Sequence, residues 1–384
     1  MSIPAFEFAT AQRILFGRGV FDQAAAEASR LGQRVVLVTG ASARFADRLR
    51  PELEAAGGVV EVIRVEQEPT VASARTAVHK AREFRAEVVM GLGGGRALDM
   101  AKALGILVPN PGDALDYLEV IGRGQRFEAA SLPVIAIPTT AGPGSEVTRN
   151  AVLRDQGVKA SLRDPRMLPR LALVDPALTD DLPAGVTAST GLDAATQLLE
   201  AFVGVAANPI TDAFGREGLT RVARSLRAAV MHPTASARDD MALASVLGGL
   251  ALANAKLGIV HGVAAALGGA TGAAHGEICA RMLPAAMKAN LAALRARASM
   301  HPALARYEEA ARILTGRPAA RAEDGVAWAL QLVDEVGIPR LAALGADGIS
   351  RGALVEATRR ASSTKGNPLP LTAEEIHAML EDAW

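Results

Sequence analysis

The first half of the chain alternates between short apolar runs and stretches spaced for helices. The runs are Arg34 to Thr39, stopping at Gly40, then Val59 to Val65, Glu87 to Leu92, Pro133 to Pro138 and Leu171 to Pro176. Each is short, nearly continuously apolar and bounded by turn residues, which predicts buried strands. Before the first run Phe21 to Leu31, and between the later ones Arg44 to Ala56, Val71 to Phe84 and Leu98 to Leu107, read as helices. Strands alternating with helices imply βαβ units and a mostly parallel sheet. From about Thr187 the texture changes to helix after helix, broken at Asn208-Pro209, His232-Pro233, Gly268 to Ala274 and Gly337-Ile338-Pro339. The expected organisation is an α/β domain over residues 1–178 and an all-helical domain over 179–384.

Composition narrows the function classes. Half of the 384 residues are hydrophobic, enough for a large core. The 41 basic and 41 acidic residues balance, and aromatics make up 3%. Neither the basic excess nor the stacking surface of a nucleic-acid binder is present. The single cysteine, Cys279, cannot form an internal disulfide; this fits a reducing compartment, and the residue reads as a small buried hydrophobe. The start, Met1 to Glu7, lacks the basic and apolar regions of a signal peptide. Apolar stretches such as Leu243 to Leu257 are too short or too broken by Gly and Ala to span a bilayer. A cytoplasmic protein with no membrane partner is expected.

Two polar loops follow adjacent predicted strands. Gly91-Leu92-Gly93-Gly94-Gly95-Arg96-Ala97-Leu98-Asp99 leaves a strand and opens a helix. Free backbone N–H groups and the helix dipole favour an anion there, and glycines let a pyrophosphate approach closely. A tight turn also wants glycine, so the loop alone leaves phosphate binding open. The second loop runs from Pro138 through Thr139, Thr140 and Ser145 to Thr148. Both would lie at the carboxyl edge of the sheet, where open α/β sheets bind ligands.

In the helical half, His261 and His275 sit among small apolar residues, and Asp193 lies in an apolar helix with Gln197 one turn on. One carboxylate and two imidazoles form a divalent-metal set in principle. Their spacing matches no zinc signature, so satisfied core polar residues remain the alternative.

Taken in order, GGGRALDMAK, PTTAGPGSEVT, LVDPALT, TGLDAATQLLEAF, NAKLGIVHGVAAALGGATGAAHGEICARMLP and KGNPLPLTAEEIHAML resemble the iron-containing (group III) alcohol dehydrogenases, including maleylacetate reductases. The resemblance covers nearly the whole chain. It implies a dehydroquinate synthase-like superfold, with a dinucleotide-binding domain, a helical domain and the active site in the cleft between them. It further implies that Gly94, Gly95, Arg96 and Asp99 cradle the pyrophosphate, that Thr139, Thr140 and Ser145 bind the cofactor's other side, and that Lys159 reaches its ribose. Asp193, the Gln197 position, His261 and His275 would hold Fe2+ or Zn2+, and the enzyme would be a homodimer.

The chain departs from that pattern at three positions. Gln197 replaces a histidine ligand, Ala265 replaces a histidine by the substrate, and Arg96 replaces a small hydroxyl residue. An amide oxygen is a poorer donor than imidazole for iron or zinc, so the expectation is weaker binding, a shift toward Mn2+ or Mg2+, or loss of metal. Glu277 is weighed as a substitute ligand and read as exposed. At Gly40-Ala41-Ser42 no acid meets the ribose 2′-hydroxyl, and Arg44 is near, so both NAD and NADP are admitted. The expected activity is hydride transfer between NAD(P)H and a small-molecule alcohol/carbonyl pair. The alternatives are a metal-independent reductase of the maleylacetate reductase type, in which His261 and His275 polarise the carbonyl, and a catalytically degenerate nucleotide-binding protein. An apolar, Ala-rich lining at Val263 to Leu267 suggests carbonyls larger than those of ethanol chemistry.

Overall fold

The structure, a computed structural model, describes residues 5–40 and 44–384. The chain forms two compact units. One contains residues 9–140 and 144–179; the other contains 180–384 with the N-terminal segment and the short stretch 141–143.

The first unit is an α/β layer structure. Its elements are β1 (Ile14–Phe16), α1 (Ala24–Ser29), β2 (Arg34–Gly40), α2 (Arg44–Ala55), β3 (Val59–Val65), α3 (Val71–Glu83), β4 (Val88–Gly93), α4 (Gly95–Leu107), α5 (Ala114–Tyr117), β5 (Val134–Pro138), β6 (Asn150–Asp155), β7 (Val158–Arg163) and β8 (Leu171–Val174). Six strands pair in the order β1-β8-β5-β4-β2-β3, all parallel. The alternation of β2 shows why its run is apolar throughout. Val36 and Val38 join a core with Ala74, Ala77 and Ala101 from α3 and α4. Val35 and Leu37 join a second core with Ala24, Leu49 and Leu53 from α1 and α2. A parallel strand covered on both faces has no polar side to show. Helix α4 lies close on β4: a Cβ at Gly91 would stand 2.8 Å from the Cβ of Ala101, so only glycine fits.

The predicted strands and helices appear with shifts of a few residues at their ends. Helix α4 starts at Gly95 rather than Leu98, because the glycine run supplies its first turn. The stretch Phe21 to Leu31 divides into a tight 3-10 turn, Val20–Gln23, and the short α1. The antiparallel hairpin β6–β7 is not predicted. Its two turn residues, Gln156 and Gly157, both have positive φ, 45° and 81°. That is the type I′ pattern usually announced by Asn-Gly, and glutamine at the first position hides it.

The second unit is helical: α6 (Ala184–Val203), α7 (Pro209–Met231), α8 (Ala235–Ala255), α9 (Ile259–Thr271), α10 (His275–Arg297), α11 (Ala303–Thr315), α12 (Ala322–Glu335), α13 (Arg351–Arg360) and α14 (Ala373–Ala383). The break at Asn208-Pro209 is a helix start. Asn208 accepts from the N–H groups of Ile210 and Thr211 at 3.2 Å each, and Pro209 occupies the first turn, where no donor is lost. Helices α9, α10, α13 and α14 share one apolar core around Val263, Leu267, Met282 and Leu380. Among the described residues, no single helix is long and apolar enough to cross a membrane; α8 and α9 reach that length only as a pair, bent by 99°.

Candidate functional site

Three helices of the second unit bring together the donors of a candidate metal site. Asp193 projects from the middle of α6, His261 from the first turn of α9, and His275 is the first residue of α10. One oxygen of Asp193, one nitrogen of each histidine and the Cys279 sulfur all lie within 4.8 Å of one another. His261 Nε2 is 3.3 Å from Asp193 Oδ1, His275 Nε2 is 3.9 Å from the same oxygen, and Cys279 Sγ is 3.6 Å from His275 Nε2.

Asp193, His261 and Cys279 are buried, while the His275 side chain is 37% exposed and forms the open side of the cluster. Asp193 Oδ1, His261 Nε2 and Gln197 Oε1 are buried with no hydrogen-bond partner. An unsatisfied buried carboxylate oxygen costs free energy on the order of 1–3 kcal/mol or more, and three such acceptors around one spot fit a divalent cation.

Second contacts fix these groups. The Glu200 carboxylate, two turns beyond Asp193 on α6, accepts from the backbone N–H groups of Gly258 and Val260 at 2.9 and 2.7 Å. It thereby caps α9, whose own N-cap glycine has no side chain to do so. The same carboxylate lies 2.7 Å from His261 Nδ1. It holds the proton on Nδ1 and turns Nε2 toward Asp193, the carboxylate–histidine arrangement typical of metal ligands. Gln197 donates from its amide nitrogen to the Pro143 carbonyl at 3.2 Å, which leaves its oxygen free.

Charge follows geometry. Burial works against a charged His261, but Cys279, Glu200 and Asp193 around it raise its pKa well above the ordinary imidazole value. Burial likewise opposes the Asp193 charge, yet His275 and His261 outweigh it and keep its pKa below normal. Burial pushes the Cys279 thiol up to about 12.

Cys279 is buried in the apolar core of the second unit, as its residue type predicts, and its sulfur also faces the donors of Asp193, His261 and His275. It sits one turn after His275, so spacing already put both on one helix face. Glu200 was missed, although it shares a face of α6 with Asp193. Glu277 is partly buried and stands outside the cluster.

The residues proposed for the cofactor lie in the α/β unit. The chain moves from β2 outward to β3 and then returns past β2 to β4, so the strand order switches direction between β2 and β4. Ligands of doubly wound sheets bind at the carboxyl ends of strands at such a switch. Gly40 and Gly93 end these two strands, and a Cβ on Gly93 would meet the Gly40 nitrogen at 3.3 Å. Ala41 and Ser42, beside Gly40, lie outside the described residues. Gly94 is the N-cap of α4 with no capping side chain, and Gly95 and Arg96 form the first turn. Thr139 donates its N–H to the Gly93 carbonyl at 3.0 Å, and the Thr140 side chain stands beside Gly94.

Asp99 is occupied within the protein. It accepts from Ser145 Oγ at 2.5 Å and from the Val152 N–H at 3.0 Å, and it lies 3.3 Å from the buried Lys102 ammonium. Glu68 gathers Lys159 at 2.8 Å and Arg96 at 3.7 Å.

Comparison with known proteins agrees on one family. Residues 11–176 match the description "Iron-containing alcohol dehydrogenase", and residues 187–384 match its C-terminal domain. Long-chain-alcohol dehydrogenase 1 of Geobacillus thermodenitrificans is 36% identical over 383 residues, 96% of this chain and 94% of that protein. The crystal structure of a 1,3-propanediol oxidoreductase superposes with a TM-score of 0.91 at 30% identity, covering 99% of this chain and all of that one. A sulfoacetaldehyde reductase from Bifidobacterium kashiwanohense, solved with NAD+, gives 0.84 at 27% identity over 99% of each chain. With both halves matched by one family and relatives aligned along nearly its full length, the chain belongs to the iron-containing alcohol dehydrogenases.

Proposed function

We propose that this oxidoreductase transfers a hydride between NAD(P)H and an aldehyde or ketone larger than acetaldehyde, with a divalent metal held in the helical unit. The observation that carries the metal reading is the trio of buried atoms Asp193 Oδ1, Gln197 Oε1 and His261 Nε2, none with a hydrogen-bond partner outside the cluster, beside His275. When bound, the nicotinamide supplies the hydride and the metal polarises the carbonyl oxygen as a Lewis acid.

The chain's own residues orient and protonate. Glu200 keeps His261 in one tautomer. His275, the exposed member of the cluster, is where a substrate oxygen gains access. Ala265, partly buried one turn after His261, offers no titratable group. With metal bound, the proton for the product alcohol therefore comes through water or a cofactor ribose hydroxyl; without metal, His261 or His275 can supply it. Of the stretch expected to line the pocket, Val263, Ala264 and Leu267 are buried in the apolar core and Ala266 packs against it, so the larger substrate rests on the small side chain of Ala265.

For the nucleotide, we assign Gly94, Gly95 and Arg96 to the pyrophosphate, with Gly40, Thr139 and Thr140 around it. Ser145 and Asp99 act by locking α4 to the hairpin, and Lys159 is a candidate for the ribose. No acid is described at the end of β2, which supports acceptance of both NAD and NADP.

A second reading has its own support. The His275 imidazole, 37% exposed on the open side of the cluster, can meet a carbonyl without metal, while the raised pKa of the buried His261 favours a positive charge behind it. Elemental analysis paired with NAD(P)H oxidation rates before and after chelation separates the two. One metal per chain and chelator-sensitive turnover are expected. Full turnover by metal-free protein would overturn metal assistance and leave the imidazolium route.

A further inference from the structure

We infer that Cys279 is a metal ligand, and that the site is an Asp193–His261–His275–Cys279 set selective for zinc. The inference rests on the metal-assisted reading above and adds the ligand that replaces the one Gln197 supplies poorly.

Distances within the cluster carry it. Zinc bonds of about 2.3 Å to sulfur, about 2.05 Å to nitrogen and about 2.1 Å to oxygen, at tetrahedral angles, set donors about 3.5 Å apart for sulfur–nitrogen and about 3.4 Å for nitrogen–oxygen. Octahedral angles would bring the same donors to about 3.0 Å. The observed separations are 3.6 Å for Cys279 Sγ to His275 Nε2, and 3.3 and 3.9 Å from Asp193 Oδ1 to His261 and His275. The 3.6 and 3.3 Å separations match the tetrahedral edges, and the 3.9 Å from Asp193 to the partly exposed His275 is longer than either geometry sets. Asp193 Oδ1 and His261 Nε2, both on buried side chains, lack any other partner.

Charge and softness agree. On binding, the sulfur–metal bond forms as the thiol proton leaves to solvent. Thiolate and carboxylate together then balance a divalent ion. A thiolate favours zinc over the hard cations Mn2+ and Mg2+. This reverses the metal shift expected from Gln197 alone.

Cys279 is the only cysteine, so any thiolate–metal signal must come from it. Chelator-stripped full-length protein is titrated with Co2+ and followed by absorption. The expected result is an intense thiolate-to-cobalt charge-transfer band in the near ultraviolet, complete at one equivalent and absent in Cys279→Ala. Zinc affinity of the variant, measured by competition with a chromophoric chelator, should fall more than about tenfold, the least that loss of an outer-shell partner costs. The wild-type spectrum stands even if the variant fails to fold. One bound cobalt without that band overturns the assignment of Cys279 and leaves metal-assisted catalysis intact. Failure to bind cobalt or zinc at all overturns both.

Discussion

Glu200 serves two purposes with one carboxylate: it caps α9 and it fixes the tautomer of a ligand on that helix. Glu200→Gln keeps the size but presents an N–H to groups that are themselves donors. Zinc affinity should fall about ten- to a hundredfold, the usual effect of losing an outer-shell carboxylate, with the competition titration as the measurement. Unchanged affinity would mean that His261 is held by packing alone.

Glu146 offers a different test, in the α/β unit. Burial raises its carboxyl from 4.5 to about 7, against a lowering by its backbone hydrogen bond and by Lys102. The folded chain keeps a proton that the unfolded chain releases in that interval. Its contribution to stability is therefore undiminished below about 4.5, declines as the pH rises, and is fully lost above about 7. The loss amounts to about 3 kcal/mol. Glu146→Gln stays neutral throughout. The difference between its urea-unfolding stability and that of the wild type should grow from pH 4.5 to pH 7 and then level off. A difference independent of pH would show that the buried carboxyl does not titrate there.

At the scale of the elements, the glycines of the β4–α4 turn divide into two kinds. Gly91 is required by packing. Gly94 is not: an added Cβ would make only ordinary contact, 3.4 Å, with Thr140. If the uncapped start of α4 receives the pyrophosphate, Gly94→Ala should leave thermal stability nearly unchanged and weaken NAD(P)H binding more than tenfold, about 1.4 kcal/mol. Fluorescence titration of the bound nicotinamide reads it. Equal binding by variant and wild type would move the pyrophosphate elsewhere. The elements were largely legible in advance because their signals are local: apolar runs for strands, an Asn-Pro pair for the α7 start. The hairpin escaped because Gln156 adopts a left-handed conformation that its residue type does not advertise.

Across the whole molecule, the two proposed ligands act on different units. The metal donors all belong to α6, α9 and α10, and the proposed nucleotide contacts to the parallel sheet, α4 and the β6–β7 hairpin. Zinc should increase hydrogen-exchange protection in α6, α9 and α10 without comparable change in β2 and β4, since binding stabilises what it links. Protection spread evenly over both units would contradict this division.

The sequence by itself determined the strand and helix sequence, the glycine turn and the candidate status of Asp193, His261 and His275, because these follow from periodicity, turn chemistry and polar residues in apolar surroundings. Only the tertiary structure decided which polar groups converge. Cys279 and Glu200 carry the right spacing on their own helices, but spacing fixes a face, not what that face meets. The packing of α10 against both α6 and α9 brings His261 to Glu200 on one side and to Asp193 and Cys279 on the other, and a contact between distant segments leaves no local mark in either of them.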